Sequence, residues 1–215
     1  MKADYKSLSL ANQVYDIIES KILNGEYPQG EILSESRLSD ELGVSRTPVR
    51  EAMGRLISEK LVEPTSSGTA VLGITAKDAD DMYCVKSFLE PMVCKLAARN
   101  RSDEQLAKMK DILDQQEFYT KKGNMEKVKD LDTDFHDVMY AASGSPTFES
   151  ILSSVHHKLK KYRKESLNIS DRSSRVMTEH MAIYDAIAAQ DEDLAQELAV
   201  KHVKNAYDNI KKGSK

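Results

Sequence analysis

Apolar residues recur every three or four positions along most of this chain, and the breaks in that rhythm mark its elements. In residues 9–24, Leu10, Val14, Ile17, Ile18 and Ile22 share one helical face, and Gly25 with Tyr27-Pro28-Gln29-Gly30 ends the run. A short helix follows in SESRLSDELG, with Leu38 and Leu42 inward and Gly43 as its stop. Ser45 opens a third helix that reaches about Glu59 and sets Val49, Met53, Leu56 and Ile57 on one side. Pro48 fits its first turn, where the missing N–H would have no intrahelical partner. Lys60 stands where a terminating glycine is expected. From Leu61 to Ile74 the helical period disappears, and Ser66-Ser67-Gly68 makes a turn between short Val/Thr-rich runs, the pattern of a small hairpin. Three helices and a hairpin predict a winged helix-turn-helix.

Thr75 or Asp78 caps a new element, so the pattern divides the chain into residues 1–74 and 75–215. Beyond the boundary it is helical throughout: 77–100, with a kink expected at Pro91, then 103–122, 125–142, 147–168, 173–190 and 192–212. Lys121-Lys122-Gly123 and Ser143-Gly144-Ser145-Pro146 close two of these, and Asp191 is positioned as the last N-cap. The fold class is mostly α: a winged helix-turn-helix followed by an all-α antiparallel bundle with an interior site.

Charge changes the picture of the first part. Residues 1–73 hold eight Lys and Arg against eleven Asp and Glu, a net −3 within a chain of net −4. A DNA footprint must therefore be a local patch rather than a basic domain. Ser45 to Lys60 supplies one of +2. On its opening turns Arg46 and Arg50 are placed to reach base edges or phosphates, Ser45 and Thr47 phosphates, and Gly68 gives close backbone approach at the wing. Arg37 and Arg55 are weaker phosphate candidates. The alternative is that Arg46 and Arg50 are solvated or paired with Glu51 and nearby acids. Cys84 and Cys94 lack metal or redox spacing and are expected to be buried, reduced thiols. The first residues carry no apolar core of a signal peptide, and no run approaches a membrane span, so a cytoplasmic protein without membrane association is expected.

Four residues of the bundle have the spacing of a metal site. Asp132 and His136 lie four apart, one helical turn, on one face. His180 and His202 stand eleven residues before and eleven after Asp191, so an antiparallel pair would place them at one level. Three imidazoles and a carboxylate suit Zn²⁺ or Ni²⁺, with Mn²⁺ as a further choice. The bland reading is that each histidine is an ordinary core or surface residue. Asp134 competes poorly with Asp132 because it faces away from His136. His156 and His157 are expected to be surface or wall residues. Tyr83, Phe88, Met92, Met139, Tyr140, Met181 and Tyr184 belong to the core or a dimer interface. A metal-dependent hydrolase is disfavoured, since no HExxH helix or evident general base accompanies the ligands.

The string Leu42-Gly43-Val44-Ser45-Arg46-Thr47-Pro48-Val49-Arg50-Glu51-Ala52, with Gly25, Tyr27-Pro28-Gln29-Gly30, Gly68 and Val71, resembles the GntR family of bacterial transcription regulators. The second part is similar to the FCD domain of the FadR-type subfamily, in its six-helix, VanR-like form. The resemblance implies a repressor, not an enzyme. It would act as a homodimer on palindromic double-stranded DNA and be released by a small organic acid. It also implies a divalent metal held by Asp132, His136, His180 and His202. An arginine that commonly meets the effector carboxylate in FCD domains is matched here by Lys86, which keeps the charge without the bidentate fork. Lys86 either binds the effector or only pairs with Glu90. An acyl-CoA sensor of the same family would need no metal.

Overall fold

The computed structural model describes residues 9–160, 162, 163 and 172–213. The chain forms two compact units, one ending at Ala76 and one beginning at Lys77.

The first unit starts with α1 (Leu10–Asn24), whose Val14, Ile18 and Ile22 are buried. Leu10 and Ile17, expected on the same inward face, are exposed. Strand β1 (Ile32–Leu33) leads into α2 (Glu35–Leu42). Ser34 caps α2 by accepting from the Arg37 amide at 3.2 Å. Gly43 then takes φ +66°, letting its N–H return to Ser39 and turning the chain into α3 (Arg46–Ser58). Val49, Ala52, Met53 and Leu56 of α3 are buried, whereas Ile57 lies at the exposed edge of the expected face. Lys60 adopts φ +57°, so a lysine does occupy the left-handed position usually given to glycine.

The expected hairpin is β2 (Val62–Thr65) with β3 (Gly68–Val71). It belongs to a three-stranded antiparallel sheet of order β1-β3-β2, in which Ile32 faces Ala70 and Leu33 faces Thr69. The core beneath it is made of α1, α2 and α3 side chains with Leu33, Leu61, Val62 and Val71.

Six helices make up the described part of the second unit: α4 (Ala76–Asn100), α5 (Asp103–Lys121), α6 (Met125–Ala142), α7 (Pro146–Lys158), α8 (Arg172–Ala188) and α9 (Glu192–Gly213). Residues 160, 162 and 163 are helical beyond α7, and the remainder of the helix expected to 168 lies outside the described residues. α4 runs through Pro91. Ser102 and Gln105 form a reciprocal capping box on α5, and Asp191 caps α9 by accepting from the Leu194 amide at 3.1 Å. α5 packs on α6 and α8, α6 on α7, and α8 on α9. Val93, Ala97, Met109, Leu113, Phe135, Met139, Leu152, Ile187 and Ala199 fill the centre. Both cysteine thiols are free, but only Cys94 is buried, because Cys84 lies on the exposed side of α4. No helix among the described residues is long and apolar enough to cross a membrane.

Candidate functional site

The recognition-type helix of the first unit holds its polar residues at its N-terminal end. Ser45 occupies the N-cap position, but its hydroxyl makes no capping hydrogen bond. Thr47 lies in the first turn and is exposed. Arg46 donates from Nη2 to Ser36 Oγ at 3.2 Å. Arg50 grips the Glu35 carboxylate with Nε–Oε1 at 3.0 Å and Nη2–Oε2 at 2.8 Å. Its acidic partner is thus Glu35 of the preceding helix. Arg37 pairs with Glu31 at 2.6 Å, and Arg55 stacks over Tyr15 while donating to Asn12. All these arginine pairs lie at the surface, where water and salt screen them, so exchange for a phosphate or a guanine edge is inexpensive.

Gly68 has a structural reason for being glycine. Its φ is +141°, and a Cβ there would sit 2.8 Å from Ile32 Cγ2 and 3.2 Å from Leu33 O. Gly68→Ala should therefore push β3 off β1 and lower the stability of this unit by about 1–3 kcal/mol. A lower urea midpoint in the unfolding of this unit is the measurement that checks it.

In the second unit, α6, α8 and α9 bring His136, His180 and His202 together, with one ligand-type atom from each lying within 4.8 Å of the others. The His180 and His202 ring centroids are 4.9 Å apart, the consequence of equal distances from the α8–α9 turn. Phe135 stacks on His180 with centroids 4.6 Å apart and holds the ring in place. Asp132 is buried beside them, with Oδ1 3.7 Å from His180 Nε2. Asp134 is not in the cluster.

Outer partners decide which imidazole nitrogen faces the centre. His180 Nδ1 meets Gln116 Oε1 at 3.3 Å, and the Gln116 amide is oriented by donating to the Val128 carbonyl at 3.4 Å. His202 Nδ1 meets Glu179 Oε2 at 2.8 Å. Both oxygens only accept, so Nδ1 is the donor in each ring, which in the neutral imidazole leaves the lone pair on Nε2. His136 Nδ1 lies 3.7 Å from Glu90 Oε1, and among the described residues neither atom has a hydrogen-bond partner although both are buried.

Burial alone would push the Asp132 carboxyl up. The Arg163 guanidinium and the surrounding imidazoles outweigh it and hold the carboxyl well below the usual range. Burial, then His156 and Lys86, push His136 far down, which keeps it neutral as a metal ligand must be. The donor set, the Nδ1 partners and the orphaned atoms therefore fit a divalent metal.

Sequence reasoning did not single out Arg163, Gln116 or Glu179, and it left His156 open as a surface or wall residue, of which the structure gives the second. Arg163 donates to Asp132 Oδ2 and, at 2.9 Å, to Thr133 Oγ1. His156 is fully inside, whereas His157 is exposed and pairs with Asp137 at 2.9 Å. Lys86 is buried and bridges to Glu90 Oε2 at 2.7 Å, so the expected pair with Glu90 is formed. Lys86, Asp132, His136, His156, Arg163 and His202 all line one cavity of about 30 Å³, together with Tyr83 and Val203.

Known proteins share this two-part construction. The model of bacterial regulatory proteins of the gntR family matches residues 10–71, and that of the FCD domain matches residues 81–205. YdhC, an HTH-type transcriptional regulator of Bacillus subtilis strain 168, is 24% identical over 93% of this chain and 90% of its own length. The gluconate operon transcriptional repressor of Bacillus licheniformis is 28% identical over 82% of this chain and 75% of its own. Among solved structures, E. coli McbR/YncC superposes with a TM-score of 0.82 over 97% of this chain and all of that one, at 20% identity. A GntR transcriptional regulator from Rhodococcus sp. RHA1 gives a TM-score of 0.75 over 95% and 99%, at 24% identity. Both sequence relatives are transcriptional regulators by name. This chain belongs to the gntR family and carries an FCD domain, and it is a DNA-binding transcriptional regulator.

Proposed function

We propose that this regulator is a metal-dependent repressor of a metabolic operon, switched by a small organic acid. Residues 1–74 bind the operator and residues 75–215 bind metal and effector. The observation that carries this reading is the buried cluster of His136, His180 and His202, with Asp132 Oδ1 3.7 Å from His180 Nε2 and with Nδ1 of His180 and His202 engaged by Gln116 and Glu179. Asp132, His136, His180 and His202 would hold the ion, Zn²⁺ or Ni²⁺ foremost and Mn²⁺ as a third choice. When bound, the ion supplies a Lewis-acidic centre that accepts an anionic oxygen of the effector. The cavity of about 30 Å³ has room for one small head group rather than a whole metabolite, since a single water needs about 10–15 Å³. The acid is therefore held by one carboxylate end, and Lys86 contributes positive charge to that end.

The VanR-like form of the FadR-type subfamily is the expected one, with six helices, α4 to α9, bounded among the described residues. A homodimer on a palindromic operator follows from the same reading. Val85, Phe88 and Met92 support it, because they form an exposed apolar stripe on α4, with Phe88 76% exposed. Arg46, Arg50, Ser45 and Thr47, with Arg37 and Gly68 at the edges, make the DNA contacts.

A mobility-shift titration with DNA from upstream of the protein's own coding sequence tests the proposal. The expected outcome is a retarded complex whose affinity changes when metal and a panel of small carboxylic acids are added together. Identical affinity with chelator, with metal and with metal plus every acid would overturn the metal-dependent part. No shift under any condition would overturn the assignment of operator sites to this DNA.

A further inference from the structure

We propose that His156, held by Lys86, donates a hydrogen bond to a carboxylate oxygen of the acid bound at the metal site, with Arg163 beside it as the charged neighbour. The inference rests on the metal and effector reading above. It assigns recognition of the acid to residues on α7 and just beyond it, none of which is among the proposed metal ligands.

The argument begins with the hydrogens of Lys86. An ammonium has three N–H groups and no acceptor. Lys86 Nζ lies 2.7 Å from Glu90 Oε2, 3.2 Å from Tyr140 OH and 3.0 Å from His156 Nδ1. Its three donors thus have three acceptors, and its charge sits behind the His156 ring rather than in front of it. Because Nδ1 of His156 accepts from Lys86, the ring proton of a neutral His156 is on Nε2. That Nε2 is buried, has no hydrogen-bond partner among the described residues and lies 3.6 Å from Asp132 Oδ2, in a residue that lines the cavity. His156 as a whole is 1% exposed.

Arg163 lines the same cavity and adds a second buried N–H. Its two terminal nitrogens are taken by Asp132 and Thr133, while its Nε has no hydrogen-bond partner. A buried donor with no acceptor is costly, and His156 and Arg163, each with one such donor among the described residues, both line this small cavity, which favours an acceptor-only group there. Charge selects the same ligand. Lys86 is balanced by Glu90 and Arg163 by Asp132. A divalent ion adds two positive charges, and among the described residues no further carboxylate lines the cavity to answer them. A carboxylate supplied by the ligand answers one of the two, so acid and metal bind in favour of each other. The alternative, His156 as a metal ligand in a set with Asp132 and His136, is geometrically available, but it requires the proton to leave the nitrogen that faces the cavity.

The test uses the full chain loaded with Ni²⁺, acetate as the probe acid, calorimetry and the visible absorption of Ni²⁺ as readouts, and His156→Leu, His156→Gln and His202→Ala as variants. Leucine fills the site without a donor, and glutamine restores one. His156→Leu should weaken acetate by about tenfold or more while Ni²⁺ affinity stays as in the parent. His156→Gln should recover most of the loss, and His202→Ala should lose Ni²⁺. Nitrogen-15 NMR of the metal-free chain should place the His156 proton on Nε2. Unchanged acetate affinity in His156→Leu, no acetate binding to the loaded parent, or a proton on Nδ1 would overturn the proposal. Loss of Ni²⁺ in His156→Leu equal to that in His202→Ala would make His156 a ligand instead. Failure of the parent to take up Ni²⁺ would strike the metal reading itself, a separate result.

Discussion

His180→Ala should abolish high-affinity metal uptake. The imidazole it removes is completely buried, stacked on Phe135 and oriented by Gln116. His136 and His202 are the other members of its cluster, and His156 groups with Asp132 and His136 instead. Changing the outer partner of a ligand costs about 10–100-fold in metal affinity, so loss of the ligand itself should exceed about a hundredfold. The second signature is thermal. An ion present at a hundred times its dissociation constant stabilises the native state by about 2.7 kcal/mol. The parent protein should thus melt several degrees higher with metal than with chelator, and His180→Ala should melt at one temperature in both. His180→Ala also leaves a cavity, which lowers its melting temperature in chelator and serves as the baseline. Competition against a chromophoric chelator gives the affinity and differential scanning calorimetry the shift. An equal shift in parent and variant would show that the ion binds elsewhere.

Arg46→Ala and Arg50→Ala should each weaken operator binding by about 5- to 150-fold per half-site, the range of one bidentate contact to a guanine. In the proposed homodimer on a palindrome two copies would multiply the loss, to about 25-fold or more. The free protein gives the control. Arg50 binds Glu35 through two parallel hydrogen bonds, but both groups face water, and Arg46 only reaches Ser36. Neither substitution should move the melting temperature measurably. Fluorescence anisotropy at two salt concentrations separates base reading from phosphate contact. A lost phosphate contact shallows the salt dependence and weakens all sequences alike, whereas a lost base contact relaxes discrimination. Parent-like affinity in both variants would remove this helix from the interface.

The legible parts of the chain were those whose geometry is local. Asp132 and His136 share a turn of α6, and four residues on a helix bring side chains together whatever surrounds it. His180 and His202 needed one further assumption, a tight antiparallel turn, which Gln190 and Asp191 supply with a left-handed residue and an N-cap. Gly43 at φ +66° joins α2 to α3 as its composition indicated. Strand β1 escaped notice because two residues are too short for alternation to register. Its pairing with β3 is also what gives Gly68 a packing role in addition to any approach to DNA.

What the amino-acid order determined alone is the set of helices, the winged reader and the four ligand-type residues, because periodicity, caps and i,i+4 spacing act within one element. Only the tertiary structure decided how that set is completed. Packing of α7 on α6 carries His156 inward, and the residues after it bring Arg163 onto Asp132. Gln116 from α5 fixes one histidine and Glu179 another. No spacing encodes these meetings, since each joins side chains of different helices at an angle set by the whole core. Lys86 illustrates the difference: its charge was visible in the sequence, but burial against Glu90, Tyr140 and His156 directs that charge through a second side chain.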